Sequence, residues 1–189
     1  MNQNDKAIKK ADAALHDEYR RQVNIIYGSA AVALKSKWKF GQTKIVNIFE
    51  DTYRLWDNIG EHNELSILQL LEDETGIEVR LTNSSASWHD LSYLNNKLPK
   101  LERVTKAQYI FMRNRQRQWI GAMIQACLYL TLYRDYDFGV LKLRHLMEEI
   151  EQIRAKHNQK ESKILKTCRE VTGINFKSDF VGMLESVVE

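Results

Sequence analysis

Proline is nearly absent from this chain: there is one in 189 residues, alongside only eight glycines. Loops use proline to set φ, whereas helix interiors exclude it because it lacks the backbone N–H and clashes with the preceding turn. Scarce proline and glycine therefore predict short connections and much helix. The one strand-like stretch, residues 77–81, is too short and solitary to indicate a sheet, so the predicted fold class is all-α.

Membrane and export signals are also missing. No apolar run approaches the ~20 residues that cross a bilayer, and residues 1–19 lack the apolar core of a secretory signal. We therefore expect a cytoplasmic protein with no membrane partner. The chain has only two cysteines, Cys127 and Cys168, both in helix-like stretches, and in that compartment we expect reduced thiols.

Helical periodicity is what the sequence does contain. Apolar residues recur at intervals of three or four, which is typical of one buried stripe along a helix. The longest series predicts a long first helix and consists of Ile8, Ala11, Leu15, Tyr19, Val23, Ile26, Ala30, Leu34 and Trp38.

Helix ends are marked by glycine and threonine. Gly76 is expected to end a short helix, and Gly41 and Gly139 are expected to end long helices in left-handed geometry, which glycine adopts without strain. The phenylalanine before each of these last two glycines would then turn inward. Thr105 is a suitable N-cap for the second long helix.

The sequence repeats itself. At an offset of 98, and of 97 after one residue of slip, similar residues recur in the same order, including Phe-Gly-x-x-Lys and Glu-x-x-Ile-Leu-(x)6-Thr-Gly-Ile. The matches fall on buried-type positions and turn glycines, which two unrelated amphipathic helix sets would not reproduce. They predict two tandem copies of a three- to four-helix unit, residues 1–96 and 97–189, packed as a pseudo-twofold pair.

Charge is divided unevenly between the two copies. Residues 1–96 carry 11 Lys+Arg and 14 Asp+Glu, whereas residues 97–189 carry 17 and 11. Such a basic face suits an acidic protein surface or phosphates and stacked bases; it also suits a solvated helix whose arginine stems cover apolar neighbours. The basic residues and the aromatic residues among them are Lys97, Lys100, Arg103, Lys106, Tyr109, Arg113, Arg115, Arg117 and Trp119.

A second basic group surrounds the first Phe-Gly corner. Lys35, Lys37 and Lys39 belong to the first copy alone, whereas Lys44 and Lys142 occupy equivalent positions in both. The last two fall in the first turn of a helix, where the helix dipole disfavours a cation. We expect each to pair with an acid on a neighbouring helix or, as the alternative, to hold a small anion beside the exposed N–H groups.

Catalytic and metal-binding patterns are missing. The sequence has no glycine-rich phosphate loop, no GxSxG and no HExxH. His145 and Glu148 form H-x-x-E, but the other copy has Asn47 and Glu50 there, which breaks a symmetric metal site. We predict no enzyme, no cofactor and no metal. A carboxylate-metal nucleotide hydrolase is the remote alternative, because acids are present without the paired-carboxylate spacing.

The stretch from Ala30 to Ile45, with its echo from Leu130 to Leu143, resembles small helical proteins of phages and prophages of low-GC Gram-positive bacteria. In that group an alanine- and leucine-rich helix runs into an aromatic-Gly-Phe-Gly-x-x-Arg/Lys-Leu corner. This chain has Lys39 and Asp137 in place of the first glycine, and lysine in place of arginine. The resemblance implies a mobile-element accessory protein that binds a host component in the bacterial cytoplasm; it carries over no catalytic residue.

The predicted function is therefore a non-enzymatic accessory protein that binds and modulates a host macromolecule through its basic helical face. The expected partner is a host protein or ribonucleoprotein, such as a defence or replication factor. A nucleic-acid-binding protein that uses the same face is the alternative, and homodimer formation is left open.

Overall fold

Helices account for the regular structure of the described part of the chain. The computed structural model describes residues 3–59, 64–79 and 105–176. Within these ranges there is no strand, which confirms the all-α prediction. The six helices bounded there are α1 (Gln3–Trp38), α2 (Gln42–Ile59), α3 (Glu64–Thr75), α4 (Lys106–Asp135), α5 (Val140–Lys156) and α6 (Glu161–Thr172).

The two long helices, α1 and α4, form the centre of the fold and make its most extensive helix contact. Asp12 near the start of α1 contacts Tyr109 near the start of α4, and Trp38 at the end of α1 contacts Phe138 just after α4. The two helices therefore run parallel, side by side.

Both long helices are buried on every side over their C-terminal halves. The buried stretches are Gln22–Leu34 in α1 and Trp119–Leu132 in α4. The single apolar stripe predicted for the first helix is thus too narrow a description of this part, since a helix enclosed all round belongs at the centre of a core. Before these stretches both helices are largely exposed or half-buried.

The shorter helices pack across the two halves of the sequence. α1 packs extensively on α5 and α6, and α4 packs on α2 and α3, whereas the consecutive pairs α1–α2 and α4–α5 make few contacts. One hydrophobic cluster consequently includes residues from all six helices. The predicted boundary between residues 96 and 97 lies outside the described residues.

The two short helices α3 and α6 end in the same way. Gly76 and Gly173 have φ of 64° and 77°, in the left-handed region, which confirms the predicted role of Gly76. The hydroxyls of Thr75 and Thr172 donate to the carbonyl four residues earlier, at 2.6 and 2.7 Å, and accept the N–H two residues later, at 3.1 Å in both. Each threonine therefore fixes the chain direction beyond its helix.

The predicted role of Gly41 and Gly139 is wrong. The left-handed residues at the ends of α1 and α4 are Lys39 and Asp137, with φ of 59° and 55°, whereas Gly139 has φ −60° and is the N-cap of α5. The residue after each left-handed position donates its N–H to the carbonyl six residues earlier, at 3.3 and 3.1 Å. The backbone bond that closes each corner thus spans one residue more than that of a Schellman motif, and the left-handed residue stands two positions before the glycine.

Two other sequence predictions are confirmed. Thr105 caps α4 in a capping box with Gln108, in which each side chain accepts the backbone N–H of the other. Cys127 and Cys168 are buried, unpaired thiols. In the described ranges, no helix has both the length and the apolar character needed to cross a membrane.

Gly28 allows α1 and α6 to approach closely, and its replacement tests this contact. A Cβ there would lie 3.0 Å from Cγ2 of Ile164 and 3.5 Å from Cδ2 of Leu165. We expect Gly28→Val to lower the free energy of unfolding by about 1–3 kcal/mol through overpacking, measured by urea denaturation. The control is Gly139→Ser, where a Cβ meets nothing within 4 Å; it should leave stability unchanged or raise it slightly. Equal effects of the two changes would contradict this packing.

Burial of the two thiols predicts a loss of stability in alkali. Burial raises the pKa of Cys127 to about 12 and that of Cys168 to about 11, from an ordinary value of 9.0. Above pH 9 the unfolded chain releases these protons while the folded chain keeps them, so the free energy of unfolding should fall as pH rises, by roughly 1 kcal/mol per pH unit per thiol. Urea denaturation between pH 8 and pH 10.5 measures this change. The free energy of unfolding of Cys127→Ala should fall less steeply with pH than that of the parent chain.

Candidate functional site

The basic segment predicted at the start of the second copy is only partly within the described chain. Lys97, Lys100 and Arg103 lie outside it, as does the side chain of Arg115. The two remaining exposed cations of this segment are Lys106 and Arg117, both on the N-terminal part of α4 that precedes the buried stretch.

Tyr109 and Arg113 hold α4 against α1. The Tyr109 hydroxyl donates to Oδ1 of Asp12 at 2.7 Å, and Arg113 Nε donates to the same oxygen at 2.9 Å. The guanidinium carbon of Arg113 also lies 5.0 Å from the centre of the Tyr109 ring. Burial and the hydrogen bond to Asp12 raise the pKa of Tyr109. These two predicted binding residues are therefore engaged inside the chain.

Trp119 must be removed from the predicted binding residues. Its side chain is 2% exposed and belongs to the hydrophobic cluster, at the point where α4 enters the core. The sequence places it directly after the arginines, but the helix becomes enclosed on all sides there. A large apolar ring in that position is held by burial.

Three lysines of α1 lie at the same end of the molecule as Lys106. They are not among the binding residues predicted from the sequence. Lys6, Lys9 and Lys10 precede Asp12 by about one turn, as Lys106 precedes Tyr109. Because α1 and α4 are parallel, both groups of cations lie at the N-terminal end of the helix pair. We call the set of Lys6, Lys9, Lys10, Lys106 and Arg117 the basic pole. The run of lysines is visible in the sequence, but the sequence does not place it beside α4.

Three acids near the basic pole, Asp12, Asp17 and Glu18, are paired within the described part of the chain. Asp12 accepts from Tyr109 and Arg113, Asp17 lies 3.8 Å from Arg20, and Glu18 lies 2.8 Å from Arg21. By contrast, three cations of the basic pole have no ion-pair partner in the described part of the chain: Lys6, Lys10 and Arg117. The pole therefore keeps a net positive charge.

Phe111 is the apolar feature of this surface. It lies on α4 between Lys106 and Arg117, and its side chain is 59% exposed. Its neighbours Ile110 and Met112 are half-buried. An exposed aromatic ring within a charged surface is the arrangement of an interface anchor with a polar rim.

The second predicted basic group lies at the opposite end of α1. A helix of 36 residues is about 54 Å long, so the corner after Trp38 is far from the basic pole. Lys37 pairs with Glu149 at 2.8 Å, and Lys39 Nζ donates to the Ser36 carbonyl at 2.7 Å. Lys35 is half-buried. The structure does not join these lysines to the other basic face.

Lys44 and Lys142 face aromatic rings. The Lys44 ammonium lies 4.0 Å from the centre of the Phe40 ring, and that of Lys142 lies 5.8 Å from the centre of the Phe138 ring. Lys142 Nζ also donates to the Asp137 carbonyl at 3.3 Å. Cation–π contact therefore takes the place of the acid partner expected for each.

Metal-ligating groups are dispersed in the described ranges. No three His, Cys, Asp or Glu side chains there come close enough together to hold a metal ion. His145 and Glu148 are both exposed on α5.

Comparison with known proteins adds no constraint to this geometry. No protein-family model, no curated protein and no solved structure matches the chain. The functional conclusion therefore depends on the chain's own residues.

The interaction energy between Asp12 and Arg113 can be measured by a double-mutant cycle. We expect Asp12→Asn and Arg113→Gln to be coupled by about 0.5–1 kcal/mol in the free energy of unfolding, since the pair is only partly exposed and shares a hydrogen bond with Tyr109. Urea denaturation of the parent, both single variants and the double variant gives this value. Strictly additive effects would show that the interaction between Asp12 and Arg113 contributes nothing to stability.

Proposed function

We propose that this chain is a non-enzymatic binding protein that docks on an acidic surface of another protein through the basic pole and thereby changes that protein's activity. The observation that carries the proposal is the position of the basic pole. Two parallel helices present their cations at the same end, outside the core, and Phe111 is exposed on α4 about 120–140° round the helix from Lys106 and Arg117.

This end of the molecule has more cationic than acidic side chains. Residues 3–21 and 105–118 contain nine Lys+Arg and four Asp+Glu. The paired acids leave Lys6, Lys10 and Arg117 directed to solvent. A concentrated positive field of this kind attracts a negatively charged partner and raises its association rate.

The chemistry of the surface favours a protein partner over nucleic acid. The Tyr109 ring is covered by Arg113, which leaves Phe111 as an apolar anchor. An acidic protein surface with an apolar pocket satisfies both the cations and this ring.

We infer further that the fold consists of two copies of one helical unit, related by a pseudo-twofold axis between α1 and α4. The paired left-handed corners at Lys39 and Asp137, the paired Thr-Gly helix ends and the reciprocal packing of short helices on the opposite long helix support this. Asp51 and Glu149, equivalent at an offset of 98, also each bind a residue from the opposite corner: Asp51 accepts from Tyr136 at 2.7 Å, and Glu149 pairs with Lys37.

The resemblance to phage and prophage proteins supports a biological setting for the proposal. In that setting the chain works in the cytoplasm of a Gram-positive bacterium, and its partner is a host protein or ribonucleoprotein such as a defence or replication factor. Nothing in this proposal requires a cofactor, a metal or a homodimer.

Charge reversal at the basic pole tests the proposal. The variant Lys6→Glu, Lys10→Glu, Arg117→Glu changes three exposed side chains without ion-pair partners, so it should fold as the parent does. Affinity capture from a Gram-positive host lysate, with and without nuclease, should recover a nuclease-resistant protein with the parent chain. With the variant, recovery should fall by about tenfold or more, since several steering charges are reversed.

A second triple variant controls for total charge. Arg144→Glu, Lys156→Glu, Lys163→Glu makes the same change at three exposed cations on α5 and α6, and its recovery should match that of the parent chain. Equal loss in both variants, or none in either, would contradict the assignment to the basic pole. A partner removed by nuclease, whose binding weakens log-linearly and steeply with salt, would instead establish nucleic-acid binding.

A further inference from the structure

A groove on the other side of α1 is not part of the basic pole. It is open to solvent, has a volume of about 940 Å³, and lies between α1, the turn before α6, α6 itself and the residues that follow it. Its apolar lining is formed by Leu165, Ile174 and Phe176. Ile174 and Phe176 are buried, whereas Leu165 remains half-buried.

The rim of the groove carries two uncommitted cations. The side chains of Lys160 and Arg169 line it, and neither has a hydrogen-bond or ion-pair partner among the described residues. The one acid among the described lining residues is Glu161, whose Oε1 accepts a 2.7 Å hydrogen bond from Asn24 Nδ2. That bond directs the carboxylate to α1.

Two further cations stand on the rim with weak internal partners. Arg21 pairs with Glu18 at 2.8 Å, and Lys166 lies 3.9 Å from Glu170, with both side chains of the second pair mostly exposed. An exposed pair such as Lys166–Glu170 contributes little and exchanges readily with a competing carboxylate. The groove therefore combines an apolar floor with a positive rim.

The positions that match the groove residues at the repeat offsets of 98 and 97 lack this combination. At the matching offset, Trp119 stands in place of Arg21 and is buried, and a glutamate stands in place of Arg169. The floor residue Leu165 is half-buried, but its counterpart Leu68 is only 2% exposed. Packing of the helical unit thus does not require the groove, and two of its rim cations, Arg21 and Arg169, have no cationic counterpart at the matching positions.

We propose that this groove binds an acidic amphipathic segment of a partner protein. Apolar side chains spaced along one face of the segment pack on the half-buried Leu165, which lines the groove floor with Ile174 and Phe176, and its carboxylates pair with Lys160 and Arg169. Helix-in-groove recognition uses this division between apolar anchors and flanking charge. The site does not involve the residues of the basic pole, so it stands or fails separately from the function proposed above.

A defined peptide tests the proposal on the full chain. The probe is a fluorescein-labelled peptide with two repeats of Glu-Leu-Glu-Glu-Leu-Leu-Glu, and its control has lysine at each glutamate position. Fluorescence anisotropy should show saturable binding of the acidic peptide and at least about tenfold weaker binding of the lysine peptide. The double variant Lys160→Glu, Arg169→Glu should bind the acidic peptide with an affinity at least about tenfold lower, because both rim charges are reversed.

Lys163→Glu is the matched variant, because it reverses an exposed lysine of α6 outside the groove, and it should change the affinity by less than about twofold. Far-UV circular dichroism confirms that each variant is folded. Equal binding of the two peptides, equal loss in Lys163→Glu, or no saturable binding overturns the proposal. If the parent chain fails to bind but Phe180→Ser, Leu184→Ser does bind, the chain's own residues after 176 compete for the groove, which also overturns a partner segment as occupant.

Discussion

The contact between α1 and α4 is the interaction on which the rest of the molecule depends. Each helix is enclosed on all sides over its C-terminal half, so neither can bury its apolar surface without the other and without short helices from both sequence halves. Apolar burial is the main favourable term in folding. Here most of it is created between elements far apart in the chain.

This arrangement explains why the Phe-Gly corners are built as they are. Phe40 and Phe138 meet edge to face, with ring centres 5.9 Å apart, and Trp38 contacts Phe138. The two corners therefore close the C-terminal end of the helix pair against each other. Lys44 and Lys142 cover these rings from outside through their ammonium groups. The aromatic residues of the corner are needed for packing, and the two lysines contact their rings. The positions of these lysines are therefore explained without a bound ligand.

The same arrangement leaves the opposite, N-terminal end of the helix pair outside the core. α1 and α4 continue beyond the core toward their N-termini, where Asp12, Tyr109 and Arg113 hold them together. Residues beyond that brace contribute little to the core. The basic pole is therefore under weaker packing constraint than the rest of the pair, and the cationic groove beside α6 lies on a different part of the surface.

The sequence by itself determined the helices, because helix formation depends on local spacing and on end signals such as Thr105 and Gly76. It did not determine which residue takes the left-handed position at the corners. Lys39 and Asp137 hold it, at the position where the resembling phage pattern has glycine, because the left-handed position depends on where the helix is stopped by its neighbours. Only the tertiary structure decided that α1 lies parallel to α4. That pairing places Lys6 and Lys10 at the same end of the molecule as Lys106 and takes Trp119 into the core, since contacts between residues about 100 positions apart leave no local pattern in the chain.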